Sequence, residues 1–334
     1  MKDLPAASWR AHVAHWLVAA RMRPHAHRPI DPDWVRRQMG RPRFVRRAMA
    51  RATGAHFELV PPGEGNAAHP EARWPGGEYL SYESTASAHD VARDAVARDA
   101  GPTLLYLHGG GFIACSPETH RSLVGALVQR VQGRAWVPSY RLAPEHPYPS
   151  ALEDALSAYR WLLEVQRLAP ERLIVAGDSA GGGLALSVVL AARDAGLPLP
   201  AGVVAFCPWA DMSASGPSLE ENSARCSMFA ADTIRRAAPL YAGVNDPRDP
   251  LLSPVYADFR DFPPLLLHAS TDEVLRDDAM RVAARARASG VQVQERLWRR
   301  VPHVWQFLSA VLPEARESVD EAAQFMRTVC AERR

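Results

Sequence analysis

The chain has 334 residues, 47% of them apolar and 23% charged, with a formal net charge of +2 at pH 7. Those proportions are those of a soluble globular protein with one large domain or two ordinary ones. No apolar run approaches the roughly 18 residues that a membrane span requires. Cys115, Cys207, Cys226 and Cys330 lie far apart, so no dithiol motif, metal motif or disulfide framework is implied.

The charge is unevenly spread: residues 1–51 hold 12 Lys+Arg against 3 Asp+Glu, and the remainder is acidic. The cations are scattered among Trp9, Trp16, Trp34 and prolines, which reads as a solvated helical flank and not as a nucleic-acid arm. Trp9, Val13, Trp16 and Leu17 recur with helical spacing, and His12 and His15 break any secretory core. A cytoplasmic location follows, with no stable membrane insertion. Residues 1–60 are read as a helical flank contributing to a cap, and 61–334 as the catalytic domain. The Pro/Gly-rich stretch 61–77 separates them.

Beyond it, strand and helix patterns alternate. The runs "PTLLYLHGGG", "RAWVPSY", "RLIVAG", "AGVVAFCPW", "PPLLLHAS" and "VQVQERLW" predict strands. "THRSLVGALVQRV", "SALEDALSAYRWLLEVQ", "GGGLALSVVLAARDAG" and "DDAMRVAARARASG" predict helices. The alternation predicts an α/β fold, a mostly parallel central sheet with helices on both faces. Residues 210–264 interrupt the rhythm and read as a cap-like insertion, mainly helical together with the flank.

The chemistry falls at predicted strand ends, where ligands of such sheets bind. Gly177-Asp178-Ser179-Ala180-Gly181 joins a strand to a helix, as a nucleophile elbow must. His108-Gly109-Gly110-Gly111 ends another strand; with 12 His and 21 Gly in the chain, such a tetrapeptide is expected by chance roughly 0.003 times. Its glycines admit a close acyl carbonyl, and their N–H groups with that of Ala180 can hold an oxyanion. His108 is read as orienting that loop. A serine needs a base and an orienting acid, in the order Ser, acid, His on this fold. Only His268 and His303 follow Ser179. His268 lies inside an apolar strand and reads as core, so His303, in a turn past the last strand, is the base. Asp272 is the first carboxylate after "LLLHAS" and is taken as the acid, with Glu273 and Asp277 as the alternatives.

The segments "HGGGF", "SYRLAPEHPYPSALEDA", "GDSAG", "DPLLSPVYADFRDFPPLLLHASTDEVLRDD" and "PHVWQF" together resemble the hormone-sensitive lipase family of bacterial esterases, within the α/β-hydrolase fold. The resemblance covers about residues 100–330. It implies a carboxylesterase acting on esters of short to medium acyl chains through an acyl-serine, without metal or cofactor. The family's functional residues fall on Ser179, Asp272 and His303, with Gly110, Gly111 and Ala180 as oxyanion donors. Ser139 and Cys115 depart from the usual residues at their positions.

Phe112, Trp209, Phe229 and Trp305 are candidate pocket walls, and Met228, Trp9 and Trp16 candidate lid residues. The partner expected is a small ester, and a homodimer is left open. An amidase or peptidase, an interfacial lipase and an acyltransferase share the triad. A receptor on the same fold is disfavoured because His303 is present.

Overall fold

The apolar runs become strands because both faces of the sheet they enter are covered, so neither face needs polar side chains. In the computed structural model, which describes residues 4–39, 54–64, 67, 70, 72–82 and 101–333, eight strands form one sheet. They are β1 (His56–Val60), β2 (Gly77–Ser81), β3 (Thr103–Leu107), β4 (Arg134–Pro138), β5 (Leu173–Asp178), β6 (Gly202–Phe206), β7 (Leu265–Ser270) and β8 (Val293–Trp298). Their spatial order is β1-β2-β4-β3-β5-β6-β7-β8. β1 and β2 are antiparallel to their neighbours, and all pairs from β4 to β8 are parallel. The two antiparallel strands are absent from the sequence-based expectation: they are short, lie at one edge and flank a Pro/Gly-rich stretch.

The helices are α1 (Trp9–Met22), α2 (Pro32–Met39), α3 (Pro117–Val131), α4 (Ser150–Arg160), α5 (Ala180–Asp194), α6 (Ser218–Ser223), α7 (Ala231–Ala242), α8 (Arg276–Ala288) and α9 (Pro313–Glu332). Successive strand residues divide between two cores, as a period of two requires. Leu105, Leu107, Val175, Val203 and Ala205 pack with α4, α5 and α8. Leu104, Tyr106, Ile174, Ala176, Val204 and Phe206 pack with α3 and α9 on the other face. α9 is a further element beyond the sequence expectation; its stripe of Ala315, Val319, Ala322, Phe325, Met326 and Val329 is buried.

The N-terminal flank lies against the insertion. His15 Nε2 is 3.0 Å from the Arg225 carbonyl, Arg23 donates to the Ser223 and Cys226 carbonyls, and Thr233 and Arg236 donate to the Ala26 carbonyl. Trp9 and Trp16 do not turn inward: they are 71% and 66% exposed, so the expected lid residues of α1 face solvent. Among the described residues no helix is long and apolar enough to cross a membrane.

Candidate active site

β5 ends and α5 begins with only Ser179 between them, so the chain reverses within one residue. Ser179 adopts φ 53, ψ −124, a conformation that costs a non-glycine residue about 1–3 kcal/mol and needs support from its surroundings. Its N–H donates to the Phe206 carbonyl at 2.8 Å, and its carbonyl accepts from Trp209 N at 2.9 Å. The flanking glycines have a steric cause. A Cβ on Gly177 would meet the Gly181 carbonyl oxygen at 2.2 Å, and one on Gly181 would meet that of Leu107 at 2.1 Å. The first-turn N–H of Ala180 has no intrahelical acceptor and lies at the positive end of α5.

The glycine loop follows β3, next to β5. Gly109 N–H is already used, donating to Asp178 Oδ1 at 3.1 Å. Gly110 (φ 120) and Gly111 (φ 65) are in backbone regions that favour glycine, and neither N–H has an acceptor among the described residues. The Gly110 carbonyl closes the turn by accepting from Ile113 N and Ala114 N, and a Cβ on Gly110 would lie 2.2 Å from the Ala114 carbonyl oxygen.

Beneath the elbow, Asp178 accepts from Tyr106 Oη at 2.8 Å and lies 3.2 Å from His120 Nε2. Burial works against its ionisation, but the His120 ring and the hydrogen bonds from His120 and Tyr106 outweigh it and hold the carboxyl below its ordinary range. His108 stacks on Tyr140, which donates to its carbonyl, and its own Nδ1 is 2.8 Å from the Gly109 carbonyl oxygen. Burial, with the neighbouring His120, pushes His108 down to about 3, so the ring is neutral and braces the loop. His268 is likewise a core side chain, bonded to Ser318 and lowered by burial to about 3.

The third element is the pair of turns after β7 and β8. His303 Nδ1–H donates to Glu273 Oε2 at 2.5 Å, with both side chains buried. Glu273 Oε1 accepts from Ser270 N at 2.6 Å, and Asn222 caps the Glu273 carbonyl. The other ring nitrogen, His303 Nε2, is buried and has no hydrogen-bond partner among the described residues. The ring faces Phe229 edge-on at 5.1 Å. Cys207, one residue past the Phe206 carbonyl that holds Ser179, accepts from Val304 N at 3.4 Å. The elbow and the His303 loop are thereby tied to the same end of β6.

Here the sequence expectation for the acid is corrected. Asp272 does not reach His303: its Oδ2 accepts from Arg300 N at 3.0 Å and from Thr271 Oγ1 at 3.1 Å. The turn Ser270–Glu273 curls the Glu273 carboxylate back onto Ser270 N and inward, which leaves its neighbour facing the 299–300 stretch. Asp277, the other alternative, accepts from Ser218 N and Arg276 at the start of α8.

Among the aromatic candidates, Phe112 stacks on Tyr241 of α7 with centroids 3.6 Å apart, and Trp209 stands 6.2 Å from Phe112. Trp209 also lies against Gly111. Tyr241, which sequence reading missed, joins this aromatic cluster; its signal is the buried stripe Ile234, Ala237, Ala238 and Tyr241 in an otherwise irregular insertion. Trp305 is not a wall: it is fully buried in the opposite core, donating to the Glu314 carbonyl and packed on Trp298. Cys115 is half-buried at φ 72 beside the loop, and burial pushes its thiol up to about 12.

A nucleophile elbow, free loop amides and a buried acid–imidazole pair on the carboxyl edge of a parallel sheet define a class of hydrolase. Residues 104–307 match the family model of the alpha/beta hydrolase fold. An acetyl-hydrolase from Streptomyces hygroscopicus is 44% identical over 236 residues, 71% of this chain and 79% of its own. An esterase from Acinetobacter venetianus is 31% identical over 66% of this chain and 73% of its own. Among solved structures, an esterase of the bacterial hormone-sensitive lipase family superposes with a TM-score of 0.79 at 31% identity, covering 98% of this chain and 100% of that one. The esterase EstE5, soaked with p-nitrophenyl butyrate, does so with 0.79 at 33%, covering 97% and 100%. The chain belongs to the alpha/beta hydrolase family, in its hormone-sensitive lipase group of bacterial esterases, and is a carboxylic ester hydrolase.

Proposed function

We propose that Ser179, His303 and Glu273 hydrolyse carboxylic esters of short to medium acyl chain through an acyl-serine. The observation that carries this reading is the His303 ring, bonded through Nδ1–H to Glu273 with its Nε2 buried and unpaired. His303 Nε2 takes the proton of Ser179 as the hydroxyl attacks the ester carbonyl. The oxyanion accepts from the N–H groups of Gly110, Gly111 and Ala180, each worth about 2.7–4 kcal/mol in such sites. Collapse expels the alkoxide, protonated by His303, and water activated by the same ring releases the acid. Glu273 fixes the tautomer and stabilises the imidazolium.

The substrate side is shaped by Phe112, Trp209, Phe229 and Tyr241, and the flank of residues 1–60 with the insertion at about 210–264 acts as the cap. Phe229 against His303 and Tyr241 against Phe112 support that role. The EstE5 soak and the acetyl-hydrolase name support a short acyl group. None of the four cysteines is in a disulfide, which suits a reducing cytoplasm. The test is hydrolysis of p-nitrophenyl esters from acetate to palmitate by wild type and Ser179→Ala. Activity greatest on the shorter chains, lowered on the order of 10⁶ in kcat by the substitution, is the expected result. Activity surviving in Ser179→Ala removes the nucleophile from this scheme.

A further inference from the structure

Cys207 follows β6 at φ 48 and is fully buried, with its N–H donating to the His268 carbonyl at 2.7 Å. Its sulfur, a ring nitrogen of His303 and a carboxylate oxygen of Glu273 all lie within 4.8 Å of one another, and all three residues are buried. They lie in the segments that follow β6, β7 and β8, three neighbouring parallel strands. Thiolate, imidazole and carboxylate are the ligand types of three-ligand zinc sites. A thiolate and a carboxylate carry two negative charges, which a divalent ion cancels in surroundings that penalise uncompensated charge.

We propose that Cys207, Glu273 and His303 form an inhibitory site for a thiophilic divalent cation of the zinc and cadmium type. The inhibition rests on the catalytic reading of His303 given above; the binding does not. The nitrogen facing Glu273 is Nδ1. On entry the ion bonds sulfur, and the thiol proton leaves to buffer. The Nδ1 lone pair and a Glu273 oxygen complete the protein ligands at about 2.0–2.3 Å from the ion. The single proton of the neutral ring then resides on Nε2, where it prevents that atom from accepting the Ser179 proton. Burial pushes the Cys207 thiol well above its ordinary range, so the ion must bond sulfur strongly to displace the proton. Magnesium and calcium, which prefer oxygen ligands, do not inhibit.

The test titrates the full chain with Cd²⁺ and reads the thiolate-to-cadmium charge-transfer band in the ultraviolet. Wild type and Cys115→Ser are expected to show one saturable equivalent per chain, and Cys207→Ser to lose it. Ser179→Ala keeps the band, so binding is read independently of turnover. In parallel, Zn²⁺ inhibits wild type reversibly to EDTA, and inhibition of Cys207→Ser, relative to its own metal-free rate, weakens at least tenfold. If Cys207→Ser does not fold, Glu273→Gln, which retains every thiol, serves instead: its Cd²⁺ affinity is expected to fall at least tenfold. No band in wild type, a band surviving in Cys207→Ser or vanishing in Cys115→Ser, or undiminished Cd²⁺ affinity in Glu273→Gln overturns the site. A band at Cys207 without Zn²⁺ inhibition overturns its inhibitory role. If Ser179→Ala remains active while the band follows Cys207, the catalytic reading fails and the cation site stands.

Discussion

Two buried histidine–carboxylate pairs lie near the carboxyl ends of the parallel strands, and they differ in which ring nitrogen the carboxylate takes and in whether the other is engaged. In the pair His120–Asp178 both ring nitrogens are engaged: Nδ1 lies 2.8 Å from Thr119 Oγ1, and Nε2 lies 3.2 Å from Asp178. Asp178 in turn fixes Tyr106 and the Gly109 amide. In the pair His303–Glu273 the carboxylate engages Nδ1, and Nε2 has no partner. A ring with no free nitrogen can only hold its surroundings in place, whereas a ring with one free, oriented nitrogen can move a proton. Both pairs set a buried imidazole against a buried carboxylate, so the valence left on the ring is what separates them.

Replacement of each histidine sharpens the contrast most. His303→Ala is expected to lower kcat on the order of 10⁶, as loss of the base does in other triads. His120→Asn is expected to keep kcat within about tenfold of wild type and instead to lower stability by about 1–3 kcal/mol, through the polar partners it leaves unpaired. Steady-state kinetics beside urea unfolding reads both effects; equal losses of activity would erase the distinction. A smaller effect separates the glycine loop from the network that braces it. Gly110→Ala places a Cβ 2.2 Å from the Ala114 carbonyl oxygen at φ 120, so kcat is expected to fall about 10²–10³ with the fold retained.

The smallest effect concerns the structural histidines and appears in stability alone. His268 is lowered from 6.5 to about 3 by burial. Between those values the unfolded chain binds the proton and the folded chain does not. Stability therefore rises with pH across that window and is lost on acidification, by about 1.4 kcal/mol per pH unit for one such group. His268→Asn is expected to reduce the slope of unfolding free energy against pH between 4 and 6 by about that amount. Chemical denaturation at several pH values measures it, and an unchanged slope would show that His268 is not held neutral.

Much of this was legible in the sequence because it depends on local backbone demands. A serine between glycines at a strand-to-helix joint fixes the elbow, since only glycine tolerates the 2.1–2.2 Å approaches found at Gly177 and Gly181. The five apolar runs from β3 to β7 are continuous because both faces are covered, and they stand out for that reason. What was hidden depends on side-chain direction. Asp272 and Glu273 are adjacent in one loop, and which carboxylate turns inward is decided by the fold of Ser270–Glu273, which periodicity does not encode. Trp305 is two residues from His303, yet the 3₁₀ turn Trp305–Leu308 sends it into the opposite core. Trp9 and Trp16 lie on a helical stripe and are offered by the sequence as lid residues, but the face of α1 that carries them is turned outward. β1 and β2 escaped notice because His56–Val60 and Gly77–Ser81 each carry too few apolar positions to show a period.

The assignment of the acid is the central claim, and kcat on p-nitrophenyl butyrate for Glu273→Gln beside Asp272→Asn tests it most directly. Glu273→Gln is expected to lose about 10⁴ in kcat, because an amide cannot hold the ring tautomer or stabilise the imidazolium. Asp272→Asn, at a carboxylate that among the described residues meets the Arg300 amide, Thr271 and a distant Arg225, is expected to stay within about tenfold of wild type. The reverse order, with Asp272→Asn disabled and Glu273→Gln active, would contradict the account.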